Sequence, residues 1–161
     1  MARFRREAFT LIEVLLVVII MAVLAATIIP QFSTSAKDAK LSVLKYNLRC
    51  VRSQLESYKV QHLGVYPPAT AGADFARQLT QKTDPNMAFD PAHGACGPYL
   101  AGEIPVNPFN QSAGVAILQG DSEPAGPTGS ADGWQYNPRH GWFYPNNSEY
   151  FQSSGSFANP N

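Results

Sequence analysis

Glu13 is the residue with the hardest chemistry to satisfy, because it is the one charged side chain between Phe9 and Ile29. A carboxylate inside an apolar span costs on the order of 2.5–3.5 kcal/mol at mid-bilayer, and somewhat less near its edge, so it needs a partner. No basic residue stands between Glu13 and Lys37, which rules out a counter-charge from the same span. The partner must come from elsewhere, another copy of the chain included. Other reactive groups are sparse. Cys96 with His93 or His140 has the residue types of a nucleophile and its base, which would make the chain a membrane-anchored enzyme. His62, His93 and His140 lack metal-ligand spacing, Cys50 and Cys96 form no zinc knuckle, and no Gly-rich phosphate loop follows a strand. The pattern therefore favours assembly over catalysis, with no catalytic, cofactor-binding or metal residues expected.

The element that must position Glu13 is the run from Phe9 to Ile29. As a helix it would be about 30 Å long at ~1.5 Å per residue, which matches the hydrocarbon thickness of a bilayer. A single spanning segment can satisfy its backbone only as a helix. A secretory signal peptide is the competing reading, with Val23–Ala26 as its small-residue cleavage site, but its apolar region would be shorter. Arg3, Arg5 and Arg6 precede the span while Lys37, Lys40 and Lys45 follow it, so the positive-inside rule leaves orientation open. Pro30 lacks an N–H and clashes with the carbonyl four residues back, so a bend or a helix end is expected there. The 12 basic and 12 acidic residues balance to a formal charge of zero, which argues against a nucleic-acid binder.

Beyond Lys37, the residues Leu41, Leu44, Leu48, Val51, Leu55 and Tyr58 recur at alternating steps of three and four, one face of an amphipathic helix ending near Gly64. That stripe suits either a coiled-coil seam or packing on the chain's own sheet, and the second is preferred because the sheet has no other cover. The helix carries Lys37, Lys40, Lys45, Arg49, Arg52 and Lys59 against Asp38 and Glu56, a formal +4. The remainder, with three basic and eight acidic residues, carries −5. Two complementary patches are what a filament of heterologous contacts requires, although a basic helix face is also simply a solvated one. The tail has a short helix near Ala73–Gln81 and strand candidates at Val115–Leu118, Trp134–Tyr136 and Trp142–Tyr144. The expected fold is α+β, a long N-terminal helix packed on a small three-stranded antiparallel sheet. Trp134 and Tyr136 share one face, and Trp142 and Tyr144 share a face of their own strand.

The basic leader followed by Ala8-Phe9-Thr10-Leu11-Ile12-Glu13-Val14 and an apolar helix with Pro30 near its end resembles the N terminus of type IV pilins and type II secretion pseudopilins. The phrases Ile104-Pro105-Val106-Asn107-Pro108-Phe109, Gly133–Asn137 and Gly141–Asn146 resemble the tail of the major pseudopilins. The resemblance implies a type IV pilin-like fold divided into a leader at 1–8, a transmembrane and assembly helix at 9–29, an amphipathic second half at 30–64 and a periplasmic domain at 65–161. It implies cleavage by a prepilin peptidase between Ala8 and Phe9 and methylation of the Phe9 amine. Ala8 departs from the glycine usual at that place. Phe9, Glu13 and Pro30 would then serve subunit assembly, Glu13 pairing with the Phe9 amine of a neighbour.

The same resemblance implies a pseudopilus subunit of a type II secretion system, with a type IV pilus subunit for adhesion, motility or DNA uptake as the alternative. Expected partners are further copies in a helical filament, minor pseudopilins, the inner-membrane assembly platform and membrane lipid before assembly, and no nucleic acid. The chain would be a single-pass inner-membrane protein with its leader cytoplasmic and its C-terminal domain periplasmic. On that side Cys50 and Cys96 would either form a disulfide or remain separate thiols. Pseudopilins of this kind often bind calcium near the sheet. Here Asp121, Glu123 and Asp132 between Gln119 and Gly133 offer oxygen ligands without the usual Asp-rich ending, so a solvated loop is the favoured reading.

Overall fold

The computed structural model describes residues 9–153, apart from the side chains of 28–34 and 153. Helix α1 is assigned from Leu11 to Gln61, 51 residues including the position of Pro30. The chain divides into two compact units, one through Ala39 and one from Lys40 onward. In the first, apolar side chains project on all sides of α1 and stay exposed, from Val17 at 45% to Leu11 at 85%. In the second, the three-and-four stripe turns inward: Leu44, Leu48, Val51, Leu55 and Tyr58 are all buried. The stripe therefore packs on the chain's own domain. Leu63 and Gly64, both at positive φ, follow the last helical turn, and the Gly64 N–H closes onto the Lys59 carbonyl at 2.9 Å.

Helix α2 spans Gly72–Thr80, where the sequence places it, and buries Phe75, Gln78 and Leu79. Its start is fixed by Asp74, whose carboxylate reaches back to accept from the Thr70 hydroxyl at 2.8 Å and from the backbone N–H groups of Thr70 and Ala71. The Thr70 hydroxyl first, and then these N–H groups, hold the Asp74 carboxyl below its ordinary range. A carboxyl depressed in the folded state stabilises it above the unfolded pKa, and that contribution disappears as pH falls through the folded value. Amide exchange in the first turn of α2 is therefore expected to be constant from neutral pH down to about 5 once corrected for intrinsic rates, and to rise below the usual carboxylate range near 4. Asp74→Asn should show the raised exchange at every pH.

Three short strands follow: β1 (Val115–Ile117), β2 (Trp134–Asn137) and β3 (Trp142–Pro145), in the order β1-β2-β3. Strands β2 and β3 form the expected antiparallel hairpin, Tyr136 facing Phe143. Strand β1 instead pairs parallel with β2, Val115 facing Trp134, so the sheet is mixed and not wholly antiparallel. The reason is the chain between them. Parallel neighbours need a crossover of about a dozen residues or more, and 118–133 supplies it as a loop. A short helix, α3 (Ser148–Ser153), packs Tyr150 and Phe151 near Tyr144.

The register decides what the sheet buries. Phe143, opposite Tyr136, joins Trp134 and Tyr136 on the side facing α2, where Phe75 lies 4.3 Å from the Tyr136 ring and 5.6 Å from Phe143. The opposite face, carrying Gln135, Asn137 and Tyr144, is also buried. Gly133 is required where the crossover enters β2, because a Cβ there would overlap the carbonyl of Ser112. Burial raises the pKa of Tyr58 and Tyr136. Both stay neutral donors, to Gln78 Oε1 at 2.7 Å and to the Pro67 carbonyl at 2.9 Å.

Candidate functional site

Glu13 sits in the first turn of α1, its N–H bonded to the Thr10 carbonyl at 3.1 Å. The unpaired N–H groups of that turn favour a negative side chain. Phe9, just before the helix, is 77% exposed. Among the described residues Glu13 has no ion-pair partner. The arrangement is thus a carboxylate at the end of a helix whose exposed first turns, Leu11 to Leu24, are otherwise apolar, with the aromatic Phe9 beside it. Ala8, the residue before the expected cut, lies outside the described residues, as does the side chain of Pro30. Among the described residues no helix is long and apolar enough to cross a membrane.

The basic face of α1 is partly committed to its own domain. Arg52 donates from Nε to the Phe143 carbonyl at 3.0 Å and lies 4.5 Å over the Tyr144 ring. Lys59 lies 4.5 Å over Tyr66, whose hydroxyl donates to Glu56 at 2.8 Å. Lys40 lies 5.9 Å from the centre of the Phe109 ring. The formal +4 therefore overstates the charge open to a neighbour.

Cys50 and Cys96 stand in the structure as two separate thiols, the second of the two readings left open for them. Cys96 is buried, with Sγ 3.7 Å from the Gln61 carbonyl, and its backbone bonds Thr83 in both directions at 3.0 Å. Cys50 and Gln61 lie on the same helix eleven positions apart, about 16 Å along its axis. A disulfide needs its two Cα atoms within roughly 7 Å, so Cys50 is out of reach. Neither histidine of the nucleophile reading serves Cys96. His93 is exposed beside Asp90, and His140 stacks on Trp142 and bonds Asp121.

His62, which the sequence reading gave no role, is 1% exposed. Its ring stacks on Tyr58 at 3.7 Å, Nδ1 lies 2.8 Å from the Tyr58 carbonyl and Nε2 lies 2.9 Å from the Thr83 hydroxyl. A carbonyl can only accept, so Nδ1 carries a proton towards Tyr58. The signal was present: His62 is the next step of the stripe after Tyr58.

The carboxylates of the 119–133 crossover do not converge. Asp121 pairs with Arg139 and His140, and Glu123 accepts from the Tyr144 hydroxyl. Asp132 lies against Gly114 instead. Among the described residues no group of three or more His, Cys, Asp or Glu side chains is placed to hold a metal.

Comparison with known proteins fits the N-terminal geometry. The family profile described as the prokaryotic N-terminal methylation motif matches residues 3–29. The type II secretion system core protein G of Pseudomonas aeruginosa is 34% identical over 74 residues, which cover 46% of this chain and 51% of that protein. The matched stretch thus spans about half the length of this curated relative. No solved structure matches the chain. With its long helix and small mixed sheet, the chain is an α+β protein that carries a prokaryotic N-terminal methylation motif and is similar over part of its length to a type II secretion system core protein G.

Proposed function

We propose that the chain is a structural, non-catalytic subunit, a pseudopilin of a type II secretion pseudopilus that drives protein export across the outer membrane. The observation that carries this reading is the single carboxylate of Glu13 in the first turn of α1, within an exposed and otherwise apolar stretch from Leu11 to Leu24 that lies inside the matched methylation motif. Prepilin peptidase cuts between Ala8 and Phe9, and the Phe9 amine is methylated. Cleavage creates the cation that Glu13 lacks, and in a low-dielectric setting the pair is strong enough to set the register of neighbouring copies. Before assembly the 9–29 segment anchors the chain in the inner membrane, with its globular domain in the periplasm. Assembly then draws on the inner-membrane platform and on minor pseudopilins.

The second reading, a type IV pilus subunit, shares the same N terminus and is supported by the same motif. Deleting the gene separates them. On the secretion reading, culture supernatants lose exported enzymes, which accumulate in the periplasm, while surface pili and twitching persist. Loss of pili with normal export would instead identify the pilus reading.

A further inference from the structure

The resemblance to major pseudopilins raises calcium for the 119–133 segment, and the donors present there do not suit it. Calcium takes about six to eight oxygen ligands, drawn from carboxylates and carbonyls. Here four of the loop carbonyls and two of its three carboxylates, those of Asp121 and Glu123, are engaged by the chain's own donors. The Asn137 amide donates to the Gly120 carbonyl at 2.9 Å, and the Gln135 amide donates to Gly126 at 3.1 Å. Asn146 Nδ2 lies within reach of the Ser130 and Asp132 carbonyls, at 3.3 and 3.1 Å, while its Oδ1 accepts from the Thr128 N–H at 2.7 Å. These three amides are buried, on β2 and just after β3. Asp121, the first carboxylate of the loop, receives the Arg139 guanidinium and His140 Nε2.

We propose that the 118–133 crossover is closed over the outer face of the sheet by Arg139 and the amides of Gln135, Asn137 and Asn146, and takes no divalent cation. Arg139 supplies the positive charge at the carboxylate, and the amides supply donors to the carbonyls. The Arg139 bond, and after it that of His140, holds the Asp121 carboxyl below its ordinary range. Gln135 Oε1, buried without a partner among the described residues, and the Asp132 carboxylate beside Gly114 are the side-chain oxygens left over, and two such residues fall short of a calcium shell. The tight turn that presents Arg139 and His140 is set by Asn137 Oδ1, which accepts from the N–H groups of both. A parallel strand pair normally joined by a packed helix is here joined by a loop, so the amides do the holding that a helix face would do elsewhere.

The test is hydrogen exchange on the full-length chain in detergent, following peptides from 119–132 against β2 as an internal reference. Exchange is read with about 5 mM CaCl2, above the weakest extracellular calcium sites, and with a chelator. The wild-type loop is expected to exchange at the same rate in both. Arg139→Gln should speed loop exchange roughly two- to fivefold, the range for an exposed ion pair, with β2 unchanged. Asn146→Ala should speed it about tenfold or more, as loss of buried hydrogen bonds implies. If Asn146→Ala also opens β2, the exposed Arg139 variant decides the matter. Slower wild-type loop exchange in calcium, or no effect of Arg139→Gln, would overturn the proposal.

Discussion

Replacing Glu13 with Val is expected to leave membrane insertion and leader removal intact and to reduce incorporation into filaments at least tenfold. The substitution removes the sole charge between Phe9 and Ile29, so insertion becomes easier by up to about 2.5–3.5 kcal/mol. Assembly moves the other way. The Phe9 amine of a neighbour then enters an apolar environment unpaired, and stranding one member of a buried ion pair costs about 3–5 kcal/mol. Each ~1.4 kcal/mol is a factor of ten in the assembly equilibrium. Quantifying sheared filament against membrane-bound subunit measures the effect, and Glu13→Asp should retain part of the assembly. Filament yields equal to wild type in Glu13→Val would contradict the pairing.

The second large effect lies in the globular domain. Trp134→Ala is expected to cost about 3–5 kcal/mol of stability. Trp134 is fully buried, its ring lies 5.0 Å from Phe143, and its indole N–H donates to the Pro105 carbonyl at 2.7 Å. Truncation therefore leaves a cavity and an unpaired acceptor together. For a chain of this size that corresponds to a fall in Tm of roughly 10 °C. Trp134→Phe keeps much of the volume and should lose less than half as much. Near-ultraviolet circular dichroism melts of the detergent-solubilised chain provide the comparison. A Trp134→Ala melt within a degree or two of wild type would mean that the β2 core is not packed as described.

What the sequence made legible follows the range of its signals. The stripe from Leu44 to Tyr58 and the short helix around Phe75 were readable because helical period is a local property, and both bury the side chains expected. The strand positions were readable from their aromatic and β-branched residues. The direction of β1 was not. Alternation says which residues share a face but not which way a neighbouring strand runs, and the 118–133 loop has the composition of any solvated turn. Alternation puts Gln135 and Asn137 on the face opposite Trp134 and Tyr136, and a sheet of this kind ordinarily buries one face only. They are buried because the crossover returns over that face and supplies carbonyls for their amides. Cys50 and Cys96 illustrate the same limit, since pairing depends on a distance that spacing does not encode. At the candidate site, Glu13 stood out because an isolated carboxylate in an apolar run is costly wherever the chain folds.

If cleavage before Phe9 creates the charge that Glu13 awaits, mass spectrometry of the mature N terminus will show it. The expected terminal residue is Phe9 carrying one methyl group on its amine, recovered from filament fractions. A mature chain beginning at Ala26 or Thr27 would contradict the account, because Glu13 would have been discarded with the leader.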